Sequence, residues 1–445
     1  MKKFTIVALA ICLAFAMAAP VMAVDANFSG AYRVRGAYTS HWDLDKGSAS
    51  NAFMNMRFRL QTVFKVSDNL SVTTRFDALD REWGSANDDM GTMTENIDFD
   101  RAYMTIKTGI GTFNIGRQKA WAFGTSFLDY EGEEDRIKYV KKFDNLTLVA
   151  IFQKNSETDS VLGAAQTQYD DNADKDVDTY YLAGTYKMDN TTIGLLGAFK
   201  NDKSNDDKVT HTYVAIPYFV SKFGPLAVQG ELRYNWGQSE YDTDATGLTQ
   251  YKTDSGNSSA TAATDIDISA LAYNLEATYS VGPASIMAGY AFVSGDGNGK
   301  TDNEATSHGY GVGNDWEKLF ILTTNEVAGL ANLGGYGNLS MDGDCTYGAK
   351  IMYGGATFSP LDNLKLGVIL GKATADEIPA ANSKDDYGVE YDFTLNWKIY
   401  DNLTYTAIAA FLSAGDFYKE QSTAGLASTT FDDTYALFHQ LQLSF

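Results

Sequence analysis

The chain has 445 residues, with 35 Lys and Arg against 57 Asp and Glu, a formal net charge of −22 and two cysteines. That acidity argues against nucleic acid as a partner, and two cysteines cannot staple a chain of this length. Gly (40), Tyr (27) and Phe (25) are abundant and Pro (6) is rare, and no Pro- or Ser-rich linker divides the sequence.

Residues 1–23 have a basic start at Lys2 and Lys3, an apolar run over 4–19 and the small or apolar residues Val21-Met22-Ala23. This pattern predicts a cleaved signal peptide and leaves 24–445 as one domain. Its removal takes the net charge from −22 to −24 and leaves Cys345 as the one cysteine. After residue 23 no apolar run approaches the roughly 20 residues of a membrane helix. A domain of this length is large for a single packed core, whereas a closed sheet around a lumen avoids that limit.

Three stretches alternate with period two. Over 51–66, Met54, Met56, Phe58, Leu60, Phe64 and Val66 oppose Asn55, Arg57, Arg59, Gln61 and Lys65. Over 226–236, Leu232, Tyr234 and Trp236 oppose Glu231, Arg233 and Asn235, and over 387–399 Tyr387, Val389, Tyr391 and Phe393 oppose Glu390 and Asp392. Such alternation gives strands with one apolar and one polar face. Their length exceeds the five or six residues or so of soluble strands and suits a tilted bilayer crossing. The fold class predicted is all-β: a transmembrane antiparallel β-barrel, apolar rows toward lipid and polar rows toward a wet lumen.

The triplet Asp-Asn-Leu recurs at 68–70, 144–146, 362–364 and 401–403, with Asp189-Asn190-Thr191 close to it. Asp and Asn tolerate left-handed geometry and bond their own backbone, so each copy predicts a tight hairpin. Further short connections fall at 109–111, 222–225 and 281–283. Long polar connections alternate with them at 41–51, 84–96, 119–135, 156–177, 201–208, 237–264, 294–346, 373–386 and 415–430. Eight short turns and nine long loops give 18 strands, or 16 if one hairpin is misread, with short periplasmic turns and both termini on that side. Pro217 falls within a strand and predicts a bulge.

Aromatic residues gather beside the short turns, as at an interface girdle. The chain ends "YALFHQLQLSF", with Tyr435, Leu437, Leu441, Leu443 and Phe445 on one face and His439 interrupting it. This ending resembles Gram-negative outer-membrane proteins, which implies localisation in the cell outer membrane, contact with its lipid and recognition of the final strand by the barrel-assembly machinery.

Nine of the ten arginines lie between Arg33 and Arg136. Arg33, Arg35, Arg57, Arg59, Arg75 and Arg101 fall on polar rows by parity and predict a ladder on one lumen wall; the plainer reading pairs them with lumen carboxylates such as Asp77. The segment 100–118, "DRAYMTIKTGIGTFNIGRQ", and the connection after it, "KAWAFGTSFLDYEGEED" at 119–135, resemble the strand–turn–strand and constriction loop of general diffusion porins. The resemblance implies that Arg101 sits on the wall at the constriction and Arg117 at the loop's root. Asp129, Glu131, Glu133, Glu134 and Asp135 become candidate loop acids. It further implies a homotrimeric porin for passive diffusion of small hydrophilic solutes and ions, filtered by a transverse field. Two alternatives stand beside it: a substrate-selective channel for anionic saccharides, and a structural barrel that docks a partner protein.

No catalysis and no cofactor are expected. The four histidines, His41, His211, His308 and His439, lie in no hydrolase motif. The run 296–304 places Asp296, Asn298, Asp302 and Glu304 in a faint likeness of a calcium loop but lacks the full pattern, so a solvated loop is preferred to a metal site. The connection 294–346 contains "NDWEKLFILTTNEVAGLANL", too apolar to float in water. It predicts a short helix that plugs or lids the mouth, or a patch capping other loops.

Overall fold

The computed structural model describes residues 24–41, 44, 46–47, 49–84, 97–120, 122–129, 132–157, 175–255, 257–296, 302–303, 316, 318–323, 347–378, 383–418 and 432–445. The leader 1–23 lies outside them. Nineteen strands form one sheet. In chain order they are β1 (Asp25–Ser40), β2 (Asn51–Ser67), β3 (Leu70–Glu82), β4 (Ile97–Lys107), β5 (Thr112–Ala120) and β6 (Gly132–Lys142). Then come β7 (Leu146–Ser156), β8 (Val177–Lys187), β9 (Thr191–Asn205), β10 (Lys208–Phe223), β11 (Leu226–Tyr241), β12 (Ile266–Val281) and β13 (Ala284–Val293). After the two-residue β14 (Asp302–Asn303) follow β15 (Ala349–Leu361), β16 (Leu364–Thr374), β17 (Asp386–Tyr400), β18 (Leu403–Ala414) and β19 (Thr434–Ser444). One helix, α1 (Ala245–Ser255), lies in the connection after β11.

Eighteen strands pair antiparallel with their chain neighbours, and β1 pairs with β19 to close the barrel, while β14 adds in parallel to the end of β12. Closure satisfies every ladder group without an edge, as hydrocarbon demands. Its last stitch is a reciprocal bond between Gly30 and Phe445, at 2.8 and 3.0 Å.

The repeated turn has a second duty besides reversing the chain. The carbonyls of Asn69, Asn145, Asn190, Asn363 and Asn402 accept the backbone N–H groups of Lys107, Lys187, Lys222, Lys398 and Ser444, at 2.8 to 2.9 Å. Each acceptor sits at one hairpin's tip and each donor on the next, so the turns join neighbouring hairpins along the periplasmic rim. Pro225 and Pro283 do the same for Ser280 and Ser359.

Three expectations need correction. The connection 201–208 is not long: β9 and β10 run on to Asn205 and from Lys208, with a two-residue turn in which the Asn205 side chain accepts the Asp207 N–H at 2.8 Å. Pro217 makes no bulge. It stays opposite Leu195, and the β10–β11 register is the same on both sides of it, with only the pairs around the proline missing. Tyr387 leaves the outward row, because the register slips by one residue where β17 meets the end of β16. Gly388 adopts φ +122° there, and Tyr387 turns inward to meet Phe417 edge to face, ring centroids 4.6 Å apart.

Elsewhere alternation holds. Tyr391, Phe393 and Trp397 are exposed on the outer face while Glu390 and Asp392 are buried on the inner one. His439 does interrupt the outward row: its ring lies 6.1 Å from Tyr405, in space left by Gly36, where a Cβ would lie 2.3 Å from the imidazole nitrogen. Phe393, near the middle of β17, tests the orientation. Phe393→Arg is expected to lower unfolding stability in lipid vesicles by about 2–4 kcal/mol, and Thr394→Arg, one residue on and lumen-facing, by clearly less. Equal losses would contradict the assignment of faces.

Candidate pore-lining site

The arginine ladder forms on the inner face of β1 to β4, and five of its six rungs have a carboxylate beside them. Arg33 lies opposite Arg57 in the β1–β2 register, and Arg75 opposite Arg101 in β3–β4. Like charges placed directly across a sheet repel, and one acid bridges each pair. Asp80 lies 4.0 Å from Arg33 and 3.7 Å from Arg57, while a Glu133 oxygen accepts from Arg75 at 2.5 Å and from Arg101 at 2.9 Å. Arg59 joins the two groups. Its guanidinium makes a two-pronged bond to Asp77, both arms at 2.7 Å, and lies 3.8 Å from Asp100, which accepts from Arg75 Nε at 2.7 Å. The result is a continuous chain of five arginines and four carboxylates with a net charge of +1. Arg35 faces the lumen one step along β1, donating to Gln440 at 2.7 Å with Phe438 beneath its guanidinium.

Two bulges build this wall. Between Arg75 and Phe76 the β3–β4 register slips by one residue at Asp100. Phe99 remains exposed, and both Asp100 and Arg101 reach the arginine chain. Between Met56 and Phe58 the β2–β3 register slips at Leu79–Asp80. Leu79 takes the left-handed φ of +55°, unusual for a leucine, and the extra residue brings Asp80 to the side of Arg57. A bulge re-aims a side chain in this way. Neither acid was singled out by sequence reasoning. The trace was there: Ile97 and Phe99 share a parity that Ala102 and Met104 do not, so the outward phase must shift between them.

Other site expectations fare differently. Arg117 does not line the lumen. It shares the outward row with exposed Ile115, as Asp135 does with Ile137, and the two form a half-exposed ion pair of 3.6 Å near the external rim. Glu133, Glu134 and Asp135 belong to β6 rather than to a loop. Glu131 lies outside the described residues, as do Asn298 and Glu304 of the calcium-like run. Among the described residues no group of three or more His, Cys, Asp or Glu could hold a metal ion.

The segment 122–129 does fold inward. Thr125 donates its N–H and hydroxyl to Glu231 of β11, at 3.1 and 2.6 Å, and Gly124, at φ +98°, lies where a Cβ would clash with the same carboxylate. Glu231 sits near the periplasmic end of its strand, so the arm reaches deep into the barrel. Phe127 at its tip is fully buried, and Asp129 follows it on the arm.

A second insert comes from the connection between β13 and β15. Trp316 and 319–323 are buried inside the barrel. Three successive N–H groups, of Phe320, Ile321 and Leu322, donate to Asp392 and to both oxygens of Glu390, at 2.8, 2.5 and 2.8 Å. Lys318 reaches Glu276 at 2.7 Å, which also accepts the Tyr353 hydroxyl at 2.8 Å. The insert is seated on the inner wall and shares one buried apolar cluster with Leu44, Phe417 and Tyr418 of other connections. In a ring of eighteen, the deep arm is held on β11, eight strands from β3, while the upper insert reaches from β12 round to β17 and on to β19, where Phe320 meets Phe438 at 5.4 Å.

A family model described as Gram-negative porin matches residues 7–317. No curated protein matches the chain. Among solved structures, OccK8 (OprE) of Pseudomonas aeruginosa shares 15% identity at a TM-score of 0.52, covering 95% of this chain and 98% of that one. OccAB1 of Acinetobacter baumannii shares 12% at 0.53, over 95% and 97%. OpdK of Pseudomonas aeruginosa, solved with vanillate, shares 12% at 0.50, over 94% and 99%. At these identities the likeness is one of fold.

Glu133 is the acid whose loss this wall should feel most, because Arg75 and Arg101 would then face each other with no group between them. Glu133→Gln is expected to cost about 1–3 kcal/mol in denaturant unfolding from vesicles, against about 0–1 kcal/mol for Asp135→Asn in the outward pair. A neutral Glu133→Gln would show that the arginine pairs are screened by lumen water alone.

Proposed function

The chain belongs to the Gram-negative porin family, and from that membership we propose that it forms a water-filled channel for passive diffusion of small hydrophilic solutes and ions. It is an outer-membrane β-barrel, with its exposed apolar rows against lipid. The observation that supports the finer reading is the pairing of one charged wall on β1 to β4 with two inserts seated on the rest of the ring. Solutes pass between them. The arginine chain, only partly exposed and carrying its own acids, offers alternating charges to a dipolar solute and a small net attraction to anions.

The leader 1–23 directs export, residues 24–445 form the single domain, and the final strand ending at Phe445 is what the assembly machinery reads. A homotrimer is part of this reading on the family resemblance alone. We assign the protein no catalysis and no cofactor. A second reading, selective uptake of anions, is favoured by the narrowing that two inserts impose beside a basic wall. A docking barrel would be better served by a lumen free of inserts.

Reconstitution in a planar bilayer across a salt gradient tests the proposal. Stable ohmic steps are expected, with a reversal potential on the anion side, and Arg57→Ala or Arg101→Ala should move that potential toward cations. Arg117→Ala, on the outward row, should leave it where it is. No displacement by either lumen arginine would remove the ladder from ion selection.

A further inference from the structure

The two inserts touch. Phe127 of the deep arm meets Trp316 edge to face at 5.4 Å, and Trp316 meets Tyr353 of the wall in the same manner at 5.5 Å. Phe127 and Trp316 are buried, so each insert supplies part of the other's packing. What keeps the upper insert in place is a pair of carboxylates at alternate positions of β17, Glu390 and Asp392. Both are buried beneath it and neither faces the passage. Glu390 spends both oxygens on backbone N–H groups, those of Ile321 and Leu322, so neither insert donor is left without an acceptor in the buried seat. Gly371 of β16 completes the seat: Leu319 occupies its missing side chain's space, a Cβ there lying 2.4 Å from the leucine.

We infer that Glu390, with Asp392, sets the width of the passage from beneath the insert: it positions 318–323, and through Trp316 and Phe127 it positions the deep arm as well. The inference rests on the channel reading for its consequence but not for its geometry. Glu390→Gln replaces one acceptor oxygen with a donor, which must oppose the N–H of Ile321 or Leu322. The seat then fails while the strand ladder of β17 is untouched.

The test is labelling of single cysteines, Leu322→Cys and Leu128→Cys, each in a Cys345→Ser background, with a membrane-impermeant maleimide on folded, heat-modifiable barrels in vesicles; residue 128 is buried on the arm beside Phe127 and leaves its ring in place. Glu390→Gln is expected to raise the labelling rate at both positions by about tenfold or more, and to raise single-channel conductance. Gly371→Val, which unseats Leu319 while leaving both carboxylates in the chain, should do the same and covers the case in which Glu390→Gln fails to fold. Unchanged labelling at residue 322 in both variants would overturn the inference. A rise at 322 without one at 128 would overturn the link between the inserts. Silence of the unmodified protein in the bilayer, alongside raised labelling in the variants, would sink the open-channel reading and leave this one standing.

Discussion

The structure follows from one constraint: inside a bilayer no water is available to a backbone N–H or C=O, so each must be paired within the protein. A sheet meets that demand only when it has no edge. Closing it obliges every strand to present one row to lipid and one to the lumen. The alternation of apolar and polar residues is therefore a consequence of backbone satisfaction as much as of side-chain preference. The Asp-Asn-Leu turns belong to the same logic. A tight turn would leave a carbonyl exposed at the rim, and in five hairpins that carbonyl belongs to an asparagine and takes an N–H from the next hairpin.

Once faces are fixed, the lumen can be furnished only by residues of one parity, unless the phase is broken. This protein breaks it twice on its charged wall. An arginine row built by parity alone would set Arg33 against Arg57 and Arg75 against Arg101 with little between them. The extra residues at Leu79 and Asp100 bring Asp80 and Asp100 to the row, and Leu79 adopts a left-handed backbone to make the first of these possible. That conformation is tolerated because two arginine–carboxylate contacts depend on where Asp80 points.

The sequence was legible where the physics is periodic. The barrel, its eight short turns, its closure and the six inward arginines could be read from alternation and turn chemistry. It was less legible where one residue resets the count. Pro217 looked like such a place and is not, since a missing pair or two leaves the ladder in register. Arg117 shows the opposite case: the family resemblance placed it at the constriction loop's root, where it stands, but its parity with Ile115 turns its side chain to the outward row. Glu231, Glu276, Glu390 and Asp392 sat on polar rows in plain view. Nothing in a one-dimensional pattern says that a lumen acid will grip an insert hundreds of ångströms of chain away, because that bond depends on where a long connection folds back.

The distribution of these acids decides what kind of passage results. If Glu231 and Glu276 faced open water across from the ladder, the field across the lumen would be strong, as unit charges in a partly dehydrated space interact at several kcal/mol. They do not. Glu231 is occupied by Thr125 and Glu276 by Lys318 and Tyr353, and both are buried beneath the inserts. The acids that do balance the arginines stand on the arginines' own wall. The field in the passage is therefore short-ranged, alternating along one side and falling off within a few ångströms of it. Such a passage acts on solutes that graze the wall, and the inserts, by narrowing the free space, make every solute graze it. In this architecture size selection and charge selection share one structural cause, the seating of the inserts.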